Sequence, residues 1–343
     1  MQSRRVVHVV GCHAAGEVGD VVVGGVAPPP GDTLWEQSRA LQEQRELRDF
    51  LLNEPRGGVF RHVNILVPPK DPRAHMGNLI FEPETAPPMS GSNTLCVTTV
   101  LLETGILPMV EPLTELLLEM PGGLVQVQAR CEDGRVREVS FHNLPSFVDR
   151  LDAPLEVPGL GTVTVDIAFG GDSFVVVDAR SLGFSIRSDE AAELRDAGMA
   201  IAHAAQEQLG FSHPTLEGMN EITFCMLAGP LEERDDGRHG THAVAIRPGK
   251  LDRSPTGTGV SARLALMHAR GEVGVGERLA FHSVLGSTFY GEIADTLELA
   301  GSPAVIPRIS GRAWITETRQ LLLADDDPWP RGYRLADTWP LQP

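Results

Sequence analysis

Apolar and polar positions along this chain alternate with two different periods, and a few runs show neither. Residues 33–53 repeat apolar side chains at helical spacing behind Thr33-Leu34-Trp35-Glu36, a capping box, and stop at Pro55-Arg56-Gly57. Residues 188–209 predict a second amphipathic helix, with Asp189 and Glu190 in its first turn and Gly210 as its C-cap. Two shorter runs, residues 91–103 (GSNTLCVTTVLLE) and 257–270 (GTGVSARLALMHAR), are apolar or small on nearly every face and end at Gly105 and Gly271. Helices so short and so uniformly apolar belong inside a core. Residues 59–68, 124–129, 136–141, 163–169 and 243–247 alternate apolar with polar and predict antiparallel strands.

The order of these elements repeats. A strand and glycine turn (His13-Ala14-Ala15-Gly16, then Phe169-Gly170-Gly171-Asp172) precede an amphipathic helix. Strands follow, then a buried helix entered through small residues. Such an internal repeat predicts two similar domains facing across a cleft. The stretch from Pro154 to Gly161 is the natural boundary between them, giving a first domain of 1–157 plus 311–343 and a second of 158–310.

Composition narrows the class. A chain of 343 residues that is 42% hydrophobic can bury a real core, and 36 Gly with 26 Pro favour short strands and turns over a helical bundle. The net charge of −17 disfavours nucleic acid and anionic membranes as partners, although backbone dipoles can still hold a small carboxylate. Cys12, Cys96, Cys131 and Cys225 are far apart and form no CxxC, so neither a disulfide framework nor a zinc cluster is expected. Arg4-Arg5 leads into an apolar run too short for a signal peptide, and no segment approaches the roughly 20 apolar residues of a membrane helix. A soluble, cytoplasmic protein is the expectation.

The chemistry is expected where the two buried helices begin. A helix N-terminus presents free N–H groups and a positive dipole end, and small residues let a ligand approach the backbone. Met89-Ser90-Gly91-Ser92 and Pro255-Thr256-Gly257-Thr258 are two such entrances. Facing one another, they would clamp one carboxylate and set Ser90 and Thr256 on opposite faces of what it is attached to. The plainer reading is that Ser90 and Thr256 are ordinary N-caps.

Met89-Ser90-Gly91-Ser92-Asn93-Thr94 and Asp252-Arg253-Ser254-Pro255-Thr256-Gly257-Thr258-Gly259 resemble the two signature segments of the proline racemase family. Residues 13–17, 67–71, 141–147 and 261–271 are similar to that family too, so the resemblance covers nearly the whole chain. It implies an α+β fold of two pseudo-symmetric domains. Each is an antiparallel β-barrel-like sheet around a central helix, as in diaminopimelate epimerase, and the site lies in the cleft, with no cofactor and no metal. It implies that the backbone of Gly91, Ser92, Gly257 and Thr258 holds the carboxylate of a small imino acid, and that Asp252 accepts from the ring ammonium. A typical member has His where Ser92 stands, and catalytic Cys where Ser90 and Thr256 stand.

Those departures shape the expected reaction. Thiols titrate near pH 8.5 and suit a two-base racemase; hydroxyls do not. Family members with Thr at the second position resemble enzymes that dehydrate trans-3-hydroxy-L-proline to Δ1-pyrroline-2-carboxylate. There the hydroxyl and the Cα hydrogen share one face, and one group suffices. On that reading Ser90 is the base, activated by His13, Asp172 or a bound water, and Thr256 is a positioning hydroxyl. The closest rival is a 4-hydroxyproline 2-epimerase, whose relatives with Ser at the first position keep Cys at the second. A non-catalytic imino-acid-binding relative is the third reading, and a homodimer is compatible with all three.

Other features are set aside. His239-Gly240-Thr241-His242 follows a charged run, lacks a third ligand and reads as a solvated turn. His75 and His142 read as structural, Cys96 as a core residue, Cys12 as a thiol near the glycine turn, and Asp325-Asp326-Asp327 as a surface turn.

Overall fold

In the computed structural model, which describes residues 5–340, the chain is a mixed α+β fold with many strands and few helices. It forms two compact units. One comprises the described residues up to Ser140 together with those from Arg312 onward, and the other is Phe141–Gly311. The stretch from Pro154 to Gly161, expected to be the boundary between the domains, instead turns a hairpin inside the second unit. Strand Ser146–Val157 pairs antiparallel with Gly161–Phe169, and Val157 faces Gly161. Gly159 and Gly161 carry the positive φ values, 81° and 77°, that the tight turn requires.

In the first unit, strand Arg5–Ala14 pairs antiparallel with both Ala313–Leu323 and Glu17–Gly24. Glu17–Gly24 runs parallel to Arg61–Val67, which pairs antiparallel with Met76–Phe81. Met76–Phe81 runs parallel to Leu113–Met120, and that strand turns back onto Gly123–Glu132. Helices α1 (Leu34–Glu43) and α2 (Arg45–Leu52) form the first parallel crossover, and α3 (Gly91–Glu103) the second. The capping box at Thr33 and Glu36 is present.

The single helix expected over 33–53 is broken at Gln44, which ends α1 and begins α2 at φ −79°, ψ 69°. The break lets Leu34 and Leu41 from α1 and Phe50, Leu51 and Leu52 from α2 bury against one cluster with Val7, Val63, Ile65 and Phe81.

The second unit repeats the pairing pattern and closes it. Ser146–Val157, Gly161–Phe169 and Ser173–Asp178 pair antiparallel in turn. Ser173–Asp178 runs parallel to Phe224–Arg234, which pairs antiparallel with Gly237–Ile246, and this strand runs parallel to Arg278–His282. Arg278–His282, Thr288–Leu299 and Ser302–Gly311 then pair antiparallel, and Ser302–Gly311 returns to Ser146–Val157. The ring is closed, which removes free edges. Helix α4 (Ala191–Gln208) makes the first crossover. A 3₁₀ turn at Ser188–Glu190 occupies what was expected to be its start. Helix α5 (Gly257–Ala269) makes the second crossover and is buried continuously from Gly257 to Met267.

The glycine turns position both central helices. A Cβ on Gly170 would lie 2.1 Å from the Thr258 carbonyl oxygen and 2.4 Å from the Ala262 nitrogen, so the turn sits against the backbone of α5. Asn143 ties them together, donating through Nδ2 to Gly170 O and to Ser261 Oγ, both at 2.7 Å. In the first unit a Cβ on Gly19 would meet Asn93 Oδ1 at 2.7 Å and Cys96 Sγ at 2.9 Å, both on α3. Small residues at these points draw each central helix close to its strands.

Candidate active site

Ser90 and Thr256 stand at the N-cap positions of α3 and α5, and neither caps its helix: neither hydroxyl accepts from a first-turn N–H. The ordinary N-cap reading therefore does not hold. The first-turn N–H groups of Gly91, Ser92, Gly257 and Thr258 are not taken by these side chains, and each helix start keeps its capacity for an anion.

The Ser90 hydroxyl is engaged elsewhere in the first unit. Asn93 donates from Nδ2 to Ser90 Oγ at 2.9 Å, and the same amide nitrogen is 3.4 Å from His62 Nδ1. Asn64 donates to Asn93 Oδ1 at 2.6 Å, and Asn78 donates to Asn64 Oδ1 at 3.0 Å. His62 lies between two buried carboxylates, with Nε2 3.3 Å from Glu17 Oε1 and Nδ1 3.6 Å from Glu82 Oε1. Ser90 itself is fixed by its carbonyl, which accepts from the Thr94 N–H at 3.0 Å and the Thr94 hydroxyl at 2.8 Å.

Of the partners expected to activate Ser90, His13 is committed differently. Its ring stacks on Trp314 at 5.2 Å, and its Nδ1 accepts from Gly16 N at 3.2 Å. Asp172 lies in the second unit and accepts from Ser173 N at 2.7 Å; burial pushes its pKa up to about 6.

Thr256 is built from the other direction. Its hydroxyl donates to Asp252 Oδ2 at 2.6 Å, while Asp252 Oδ1 accepts from Ser254 N at 2.8 Å. Ser254 Oγ accepts in turn from Thr256 N at 3.0 Å, closing a short loop of bonds in a buried segment. Thr256 has φ +57° and ψ 94°, a region costly for a β-branched residue by about 1–3 kcal/mol. Strain of that size persists where the surroundings impose it, and here they do. His242 Nε2 donates to the carbonyl of Pro255 at 2.5 Å, and His242 Nδ1 is 3.3 Å from Arg263 Nη1. Burial, then Arg263, lowers the pKa of His242 to about 3, so it is the neutral imidazole that holds this turn.

His239 and His242 are thus not on a solvated turn. They lie in strand Gly237–Ile246, which is paired on both sides, and both are buried. His239 meets Asp236 at 2.9 Å and His282 at 2.8 Å. Among the described residues, no group of three or more His, Cys, Asp or Glu could hold a metal. Cys96 is buried in α3, and burial raises its pKa well above the usual thiol value. His75 Nδ1 accepts from Leu117 N at 2.9 Å.

The chain as a whole, including both helix starts, matches the sequence description of the proline racemase family across residues 9–334. The chain belongs to the proline racemase family. Among solved members, a hydroxyproline epimerase from Agrobacterium vitis, with trans-4-hydroxy-L-proline bound, is 38% identical. It superposes with a TM-score of 0.94 over 99% of this chain and 97% of its own. A probable proline racemase from Agrobacterium radiobacter, with bound carbonate, is also 38% identical, with a TM-score of 0.92 over 97% and 98% of the two chains. A phenazine biosynthesis protein of Bacillus anthracis, 12% identical with a TM-score of 0.56 over 93% and 100%, shares the fold alone. As a member of the proline racemase family, this chain is an enzyme of isomerase-like type. No helix among its described residues is long and apolar enough to cross a membrane.

Sequence reasoning expected Ser90 and Thr256 at the starts of two buried helices, where they stand, but did not name the residues hydrogen-bonded around them. Asn93, Asn64 and Asn78 were legible in one respect, as polar residues within apolar runs. Glu17, His62, Glu82 and His242 carried no spacing signal.

Proposed function

We propose that this enzyme epimerises a hydroxylated proline at Cα, with 4-hydroxyproline as substrate, by general acid–base chemistry between Ser90 and Thr256. This reading places the substrate carboxylate on the first-turn N–H groups of Gly91, Ser92, Gly257 and Thr258. The observation that carries it is the 2.6 Å hydrogen bond from the Thr256 hydroxyl to Asp252. A lone threonine is a poor base, but one backed by a carboxylate can pass its proton on as it takes another. Thr256 Oγ1 takes the α-proton while its own proton moves to Asp252 Oδ2. The Ser90 hydroxyl returns a proton to the opposite face of Cα, and the configuration inverts. Solvent resets both groups. Likeness over nearly the full length to an epimerase with trans-4-hydroxy-L-proline bound supports the substrate.

Dehydration of trans-3-hydroxy-L-proline is the second reading, favoured by the absence of a thiol at both 90 and 256. It needs one face only. A proton NMR assay in D2O separates the readings. Conversion of trans-4-hydroxy-L-proline to cis-4-hydroxy-D-proline, with deuterium at Cα, supports epimerisation. Formation of Δ1-pyrroline-2-carboxylate from trans-3-hydroxy-L-proline, with the 4-hydroxy isomer untouched, supports dehydration. Binding with no α-exchange in either substrate overturns both.

A further inference from the structure

The direction of every hydrogen bond leading to Ser90 can be fixed from one backbone group. A carbonyl oxygen can only accept, so the contact of Asn64 with the carbonyl of Asp20, at 3.3 Å, is made by Nδ2. The same Nδ2 reaches Asn93 at 2.6 Å, which must then present Oδ1. Asn78 reinforces that orientation by donating to Asn64 Oδ1 at 3.0 Å. The NH2 of Asn93 therefore faces Ser90 Oγ at 2.9 Å, with its second hydrogen towards His62 Nδ1 at 3.4 Å. All three asparagines are 0% exposed, so water does not compete for their amides. None can turn over without setting two like groups against each other in a dry interior.

We propose that Asn93, held by Asn64, is the positioning residue that makes the Ser90 hydroxyl a proton donor in the reaction. Because Ser90 Oγ receives a hydrogen bond from the protein, its own hydrogen is directed away from Asn93 and is available to the substrate. The donated bond also stabilises the oxyanion left when that hydrogen departs. Thr256 has the opposite sense, giving its hydrogen to Asp252 and leaving oxygen lone pairs for the α-proton. The resting enzyme is then set for one epimer, whose α-hydrogen faces Thr256, and the Ser90 end completes the inversion. This inference rests on the reading that Ser90 acts at Cα.

The test is N93D, which keeps size but replaces the donating NH2 by an accepting oxygen. It is assayed on the epimer that the wild type turns over, labelled with deuterium at Cα. The expected kcat falls roughly 10- to 100-fold, the scale of one charge-stabilising hydrogen bond, while KM stays within about twofold. Release of α-deuterium to solvent should fall less than inversion, because the Thr256 step remains. Unchanged kcat, or equal loss of release and inversion, overturns the proposal. Should N93D not fold, N64D is read instead. It keeps Asn93 but frees its amide to turn, and the excess of release over inversion should appear there in smaller degree; its absence counts against the proposal. If the wild type itself releases no α-deuterium from any hydroxyproline, the catalytic reading has failed. Release by the wild type with an unaffected N93D overturns the positioning role alone.

Discussion

The starts of α3 and α5 occupy equivalent places in two units with the same order of parallel and antiparallel pairings, yet their hydroxyls are wired in opposite senses. Ser90 receives a hydrogen bond from a neutral amide at the end of an asparagine chain, and Thr256 gives one to a carboxylate. Ser90 sits in relaxed extended geometry, whereas Thr256 is held at positive φ by a buried neutral histidine acting on Pro255. The comparison teaches that a duplicated frame fixes where two groups stand without fixing what they do. The senses of the two hydrogen bonds come from the side chains behind them, a neutral asparagine amide at one start and a carboxylate at the other.

The strongest way to break this contrast is to remove each hydroxyl in turn. T256V should abolish both α-deuterium release and turnover of the favoured epimer, by about 10²–10⁴-fold, the range for a general base. S90A should lose inversion on a similar scale while retaining measurable α-deuterium release. Equal behaviour of the two variants would show the ends to be interchangeable.

A second contrast lies in how the glycine turns support the helices. G170A drives a methyl group into backbone atoms of α5, which cannot step aside, and should cost at least about 3 kcal/mol in thermal denaturation. The acid limb of stability tests the support of Thr256. His242 has a pKa of about 3 when folded, against an unfolded value of 6.5, so the unfolded state binds the proton first. The stability supplied by neutral His242 is complete above pH 6.5 and is lost as the pH falls towards 3. H242Q, which can still donate to Pro255, should flatten the melting temperature across that window relative to wild type. Asp172, raised to about 6, acts with the opposite sign in both proteins and cancels in the difference. The smallest effect is expected for G19A, which meets only side-chain atoms of Asn93 and Cys96. It should cost about 1 kcal/mol of stability but lower kcat by displacing Asn93.

Much of the frame was legible in the chain. Alternation marked the strands, and the two uniformly apolar runs marked α3 and α5, because a helix buried on all sides has no polar face to reveal a period. The break at Gln44 was not legible, since each half keeps its own helical spacing and only the shared core demands the bend. Pro158, Gly159 and Gly161 were visible as an interruption and were read as a domain boundary, because composition cannot distinguish a hairpin turn from a junction between domains. Small residues before a helix marked the helix starts at Ser90 and Thr256. What acts on each hydroxyl did not show. Asn64 is 29 residues from Asn93 in the chain, and three-dimensional pairing alone brings them together. His242 was misplaced because a charged run before it suggested solvent, whereas that run ends as its strand enters a sheet paired on both sides.

The pairing of Arg5–Ala14 with Ala313–Leu323 has a consequence for how the molecule is made. The second unit is one unbroken length of chain, Phe141–Gly311, whose ring of strands can close without a residue from the first unit. The first unit joins residues that precede the second unit to a strand that follows it, Ala313–Leu323, so its sheet lacks a flanking strand until the chain has passed through the second unit. The unit whose segments flank the other is therefore completed after it. A chain cut after Gly311 would keep every strand of the second ring but leave the Arg5–Ala14 edge of the first sheet bare, the species on which a chaperone or protease would act.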